Sequence, residues 1–286
     1  MLCTPTLRTP FNVYLINLLV TNILQITLQV PLEISSALFS RWWMGWTACT
    51  VYLFANNVLI GVIMASHVLI SVNRVWALTY HLHYKHHHTL RTAIQLCIFV
   101  WVWVHVIVVP GIVSDALYYR RPLDKFGCSI NTSAQPKWAL AKHFLGYILP
   151  LVAVILTFPY ILGKQLLRKR VGVVGGGITQ HITRNQIGIE NSDNSVTESR
   201  KGKRSERLSK IWTRGTVLYV LMTVSLLATW TPGRVYFTIK LFINVDNASV
   251  FQICYVLFAL QSVFDPVLFA IALKELRPFG CRMSVH

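Results

Sequence analysis

Charge is what this chain has least of. Only 13% of its 286 residues are charged, where soluble domains carry about 25%. Acids are scarcer still, with 10 Asp and Glu against 27 Lys and Arg and a net charge of +17. The chain lacks the His-Glu-x-x-His and Gly-x-Ser-x-Gly motifs and has no paired intramembrane aspartates, so nothing in it reads as an enzyme or asks for a cofactor. Its Gly/Val-rich stretch Val171 to Gly177 is not followed by Gly-Lys-Ser/Thr, which excludes a phosphate loop. It has no internal repeat of the kind transporters show. The first residues, Met1 to Pro10, are polar and carry only Arg8, which does not read as a cleavable signal peptide. Six cysteines are too few and too scattered for a disulfide framework, and Cys97 and Cys254 lie inside apolar runs, where a thiol packs as a small hydrophobe.

What the chain has instead is apolar length. Hydrophobic residues make up 54% of it, and uncharged runs predict helical spans near 11–34, 49–72, 93–114, 139–163, 215–239 and 250–273. A backbone in lipid must satisfy its own hydrogen bonds, which favours helix over open strand. The basic residues fall in alternate connectors. His81 to Arg91 holds Lys85, Arg91 and five histidines, and Lys164 to Arg214 holds twelve Lys and Arg against four acids. Both connectors belong inside, so membrane topology explains the charge better than nucleic-acid binding does. Residues 164–210 read as a disordered basic cytoplasmic loop. The connectors 115–136 and 241–249 then face outside, and each carries a sequon, at Asn131 and Asn247. Glycans are added on that side, and neither sequon was used to set the orientation. An even number of spans puts both termini inside. The five connector histidines lack Cys or acid partners, so they read as a solvated basic loop and no metal site is assigned. His67 has no obvious partner in the sequence and carries no role.

Cys49 and Arg74 end one uncharged segment and stand 25 positions apart, and the arginine lies in Ser71-Val72-Asn73-Arg74-Val75-Trp76. This resembles the third helix of rhodopsin-like (class A) G-protein-coupled receptors, with a variant of their Asp-Arg-Tyr motif. The resemblance covers nearly the whole chain. Asn17 and Asn22, then Pro31, resemble the second helix, and Trp42-Trp43-Met44-Gly45 the first outer loop. Trp101 and Pro110 fit the fourth helix and Pro150 the fifth. Thr229-Trp230-Thr231-Pro232 resembles Cys-Trp-x-Pro of the sixth, and Asp265-Pro266-Val267-Leu268-Phe269 resembles Asn-Pro-x-x-Tyr of the seventh. The implied fold is an all-α membrane protein, a seven-transmembrane receptor bundle with six spans present (helices two to seven) in one domain, 1–286. Because Leu7-Arg8-Thr9-Pro10 resembles the first cytoplasmic loop, the chain looks like a receptor without its first helix. A truncated gene model accounts for that; a genuine six-helix product is the alternative.

The resemblance also assigns roles. Cys49 and Cys128 both face outside, where a disulfide is permitted. Cys281, soon after the last span, is a candidate for palmitoylation. Arg74 is the residue that would meet the G protein, Asn73 replaces its acidic neighbour, and Trp230 beside Pro232 is a candidate switch. Asn22 and Asp265 exchange the acid and amide that most members place on helices two and seven, and they are expected to meet through water. Phe158 and Phe269 stand where the family has tyrosines, which implies an altered on/off equilibrium. Inward positions of the outer half become Glu33, Asn56, Asn57, Lys142, His143, Tyr147, Gly233, Arg234, Phe237 and Tyr255. Asn56 stands where amine receptors need an aspartate, which disfavours a biogenic amine. Lys142 and Arg234 would pair a carboxylate or phosphate, or else they merely snorkel to the interface. The implied function is transmembrane signalling at the plasma membrane from an extracellular peptide or anionic small molecule to a heterotrimeric G protein. Arrestin and a receptor kinase are further implied partners. A non-signalling truncated fragment and a transporter or channel are the alternatives.

Overall fold

A computed structural model describes the backbone of residues 9–39, 42–184, 192–243 and 247–276. Side chains of 168–216 and 271–276, and those of Tyr255 and Phe269, are outside the described set, as is Cys281. Among the described residues the structure is helical, without strands. Helix α1 runs through Pro10–Leu24, a π-helical turn Gln25–Gln29 and Val30–Leu38. Helix α2 is Gly45–Thr79, and α3 is the short connector helix His81–His87. Helix α4 is Leu90–Ser114, continued by a π turn Asp115–Tyr119. A single turn, α5, covers Leu123–Phe126. Helix α6 comprises Pro136–His143, a π turn Phe144–Ile148 and Leu149–Arg184. Helices α7, Ser192–Ile243, and α8, Ala248–Leu276, complete the bundle.

Local chemistry places the helix starts. Pro10 sits in the first turn of α1, where its missing N–H costs nothing, and Thr9 caps it by accepting from Asn12 N. Thr89 caps α4 in the same way through Thr92 N. Two of the π turns come just before a proline, Pro31 in α1 and Pro150 in α6. A proline removes one backbone donor and crowds the carbonyl four residues earlier. The wider turn accommodates that and shifts the register, so that Gln25 and Gln29 point into the bundle.

Among the described residues four helices are long and apolar enough to cross a membrane: Pro10–Ser36, Gly45–Thr79, Leu90–Tyr119 and Pro136–Leu167. The other two expected spans fall within α7 and α8. Helix α2 is the axis of the bundle. It buries 72% of its most apolar stretch, against 33% for Leu90–Tyr119 and 22% for Pro136–Leu167, whose outer faces are left for lipid. Val58, Val62, Ile63 and Met64 are fully buried along α2, whereas Phe99, Val106 and Leu156 on the outer helices are exposed.

Both flanking helices run into the connector 164–210, as far as Arg184 from one side and from Ser192 on the other. Adding a residue to an existing helix costs far less than nucleating one, so spans anchored in the bundle propagate outward. Residues 185–191 lie outside the described set. At the outer end Cys49 and Cys128 form the expected disulfide, with Cα atoms 5.5 Å apart. Gly127 turns the chain into Cys128 at φ +63, a left-handed conformation that favours glycine. Cys97 and Cys254 are free and buried, as their apolar surroundings imply.

Candidate functional site

The side chains singled out from the sequence fall at three depths of the bundle. In the outer half the π turn in α6 aims both His143 and Tyr147 inward. Lys142 donates to Asn57 Oδ1 on α2 at 2.9 Å and lies over the Trp138 ring. Asn57 in turn donates to Leu53 O. His143 Nε2 is 2.9 Å from Thr238 Oγ1 on α7. Arg234 is only 6% exposed and is enclosed by aromatic rings, with its guanidinium 4.2 Å from the Tyr147 centroid, 4.8 Å from Phe258 and 5.0 Å from Trp230. Phe237 borders the same cage. Tyr147, over which Arg234 lies, has its ring 6.4 Å from that of His143, the neighbour of Lys142. Neither cation snorkels clear of the bundle, because Arg234 is buried and Lys142 is committed to α2.

Glu33, Asn56 and Gln29 form a separate cluster on the α1–α2 side. Tyr52 donates to Glu33 at 2.8 Å, and Gln29 donates to Asn56 at 2.9 Å. Both Glu33 and Asn56 therefore have partners of their own. Tyr255 is helical, with its side chain outside the described set.

At mid-depth Asn22 donates directly to Asp265 Oδ2 at 3.2 Å, where a water bridge was expected. His67 Nε2 meets the same oxygen at 3.2 Å, and Gln261 donates to Oδ1. Gln261 Oε1 accepts from Ser225 and Thr229 of α7, and Ser262 donates to Gln25 of α1. Three helices thus meet at one carboxylate, and α7 joins them through Gln261. Trp230, beside Thr229, is fully buried 5.0 Å from Phe258, and Pro232 and Pro266 lie within their helices. The sequence left His67 without a role because its partner lies 198 positions away. Asp115 is a second buried acid, enclosed where α4 continues past its expected end. It pairs with Arg120 at 2.8 Å and accepts from Asn131 N.

At the inner end Arg74 lies over the Phe11 ring at 3.7 Å, with its Nε buried and without a partner. Asn73 is buried. Its Nδ2 is 2.9 Å from His88 Nε2, and its Oδ1 accepts from Tyr84. Tyr14 of α1 contacts the same His88 nitrogen at 2.9 Å. The connector after α2 therefore supplies the partners that an acid at position 73 would otherwise attract. Burial holds the His88 imidazole below its ordinary value. Phe158 packs near Tyr219 of α7, and the Phe269 side chain is outside the described set. Of the two sequons, Asn131 donates to Tyr119 O, and exposed Asn247 caps α8 through its Oδ1. Among the described residues no group of three or more His, Cys, Asp or Glu is placed to hold a metal.

Residues 1–269 match the family described as 7 transmembrane receptor (rhodopsin family). Alpha-2B adrenergic receptor of Dugong dugon is 28% identical over 179 residues, 61% of this chain and 45% of that protein. Alpha-2A adrenergic receptor of Danio rerio is 28% identical over 189 residues, 65% of this chain and 45% of that one. The Equus caballus alpha-2B receptor is 29% identical over 167 residues, 57% and 42% respectively. The chain thus spans less than half the length of the curated relatives it matches. With the family match running over nearly its whole length, the chain belongs to the rhodopsin family of seven-transmembrane receptors.

Proposed function

We propose that the chain carries a signal from an extracellular anionic ligand, a small molecule or an acidic peptide, to a heterotrimeric G protein. The observation that carries this is the pair of inward cations of the outer half, Lys142 held by Asn57 and Arg234 buried over the Tyr147 ring, which lies 6.4 Å from the His143 ring. Lys142 is held by a neutral amide, and among the described residues it forms no ion pair. Cations placed close together inside a bundle repel one another, and an incoming carboxylate or phosphate relieves that repulsion with charge-assisted hydrogen bonds. The aromatic cage around Arg234 suits an apolar body attached to the anion.

The relatives are adrenergic receptors by name, but the same ligand does not suit this pocket. Asn56 is neutral and already bonded to Gln29, and Glu33 is engaged by Tyr52. Signal output runs through a population shift, in which a ligand that binds the open bundle better moves the inner end of α7 and frees Arg74. Arrestin and a receptor kinase are further proposed partners on the inner face. The test is a G-protein activation screen with acidic peptides, carboxylates and phosphates in cells displaying the chain. Activation that is lost in both Lys142→Ala and Arg234→Ala, at unchanged surface display, supports the proposal. Activation by amines that survives both changes sinks it, and solute or ion flux in place of activation points to a transporter.

A further inference from the structure

His67 has no part in the pocket or in the proposed G-protein contact, yet it is the one histidine among the described residues that contacts a buried acid. Its side chain is 5% exposed and that of Asp265 is 2%. A carboxylate in a membrane-spanning bundle needs compensation. Asn22 and Gln261 supply hydrogen bonds to it but no charge. Among the described residues that touch Asp265, His67 alone is able to supply both. It stands on α2, the buried axis, while Asp265 stands on α8, beside Pro266.

We propose that His67 is a positioning residue, the charge partner that holds α8 against α2 through Asp265 in the closed bundle. In the arrangement described the Arg74 guanidinium is folded onto Phe11 at the inner end, and on the proposed signalling role this is the silent, closed bundle. A contact made in the closed state favours that state, and removing it shifts the population toward the open one. The clamp is also tied to α7, since Gln261 bonds Asp265 on one side and accepts from Thr229 on the other. Thr229 directly precedes Trp230, so a movement of α7 at the outer cage is transmitted to the clamp by a side-chain contact already in place.

This inference rests on the proposed signalling role only for its output; the clamp itself is tested without it. The experiment is a double-mutant cycle on the full chain in detergent, with His67→Ala, Asp265→Asn and the two combined. It reads the thermal midpoint and ligand-independent nucleotide exchange on purified G protein. The expected result is strong non-additivity in the midpoint, the double variant being little worse than His67→Ala alone. Basal exchange should rise at least about fivefold in His67→Ala. His67→Gln, which keeps an N–H donor but no charge, should restore part of the midpoint and little of the silence. If His67→Ala does not fold, His67→Gln and His67→Asn carry the cycle. Midpoint losses that simply add overturn the clamp. A coupled midpoint without exchange in any variant or with any ligand upholds the clamp and overturns the signalling role instead.

Discussion

His88 Nε2 lies 2.9 Å from Asn73 Nδ2, so a connector histidine is hydrogen-bonded to the residue that precedes the signature arginine. The same nitrogen meets Tyr14 at 2.9 Å, and the ring stacks on Tyr84 with centroids 4.4 Å apart. An unprotonated Nε2 accepts from both partners. A protonated one faces the Asn73 amide donor and must displace it. The neighbouring titratable groups are Tyr14 on α1, Arg74 on α2, and His83, Tyr84 and His87 on the connector.

The pH consequence follows from the direction of the shift. Burial lowers the His88 pKa below its ordinary value of 6.5. Between the folded and ordinary values the unfolded chain binds the extra proton, so stability rises with pH through that window. The contribution is fully present above 6.5 and is lost as pH falls through the folded value. Thermal unfolding of the detergent-solubilised chain should show this acid-side loss, and His88→Gln should flatten it. A profile unchanged by His88→Gln would show that His88 is not the group responsible.

A single charge at the α2 side of the pocket should test the anionic ligand. Lys142 Nζ is 2.9 Å from Asn57 Oδ1, so Asn57→Asp gives the lysine an internal carboxylate. The response to an acidic agonist should then weaken about tenfold or more, equivalent to at least ~1.4 kcal/mol of lost affinity. Stability should be kept or raised, because the new charge is paired. A concentration–response curve beside a thermal midpoint checks both. An unchanged curve means that Lys142 does not hold the ligand.

Gly233 has no room for a side chain. A Cβ there would come within 2.3 Å of the Phe258 ring, which also stacks against Phe237 and lies beneath Arg234. Gly233→Ala should therefore overpack the cage at a cost of about 1–3 kcal/mol. Adding Phe258→Leu to make room should recover stability without recovering the ligand response. Two-state unfolding of the single and double variants measures the first part, and agonist titration the second.

Much of this site was legible because it depends on residue types at family spacing. The Cys49–Cys128 bond, the meeting of Asn22 with Asp265, and the inward cations all follow from positions along helices whose apolar length was plain. What escaped the sequence was set by partners. A histidine such as His67 within an apolar run gives no local sign of an acid brought beside it by a different helix. Asp115 escaped for the opposite reason. A charge normally ends a span, and only the continued helix with Arg120 five residues on shows it folded inward. Two of the π turns precede prolines plain in the sequence, Pro31 and Pro150, but the extra residue each inserts changes which side chains face the core by an amount that periodicity does not reveal.

The Asp115–Arg120 pair is where removing one partner should hurt most. The side chains are 0% and 1% exposed, and the acid also accepts from Asn131 N. Arg120 reaches Thr50 on α2 at 2.6 Å and lies over the Trp46 ring, so the pair ties the outer end of α4 to α2 beside the disulfide. Arg120→Ala leaves the Asp115 carboxylate buried without its cation and should cost about 3–5 kcal/mol. Asp115→Asn combined with Arg120→Gln removes both charges but keeps hydrogen-bonding shape, so it should cost much less. That ordering separates a charge pair from simple packing, because packing loss would scale with the atoms removed. Thermal midpoints and surface display of the three variants measure it. Equal losses in Arg120→Ala and the neutral pair would mean that the outer end is held by the disulfide and the apolar contacts instead.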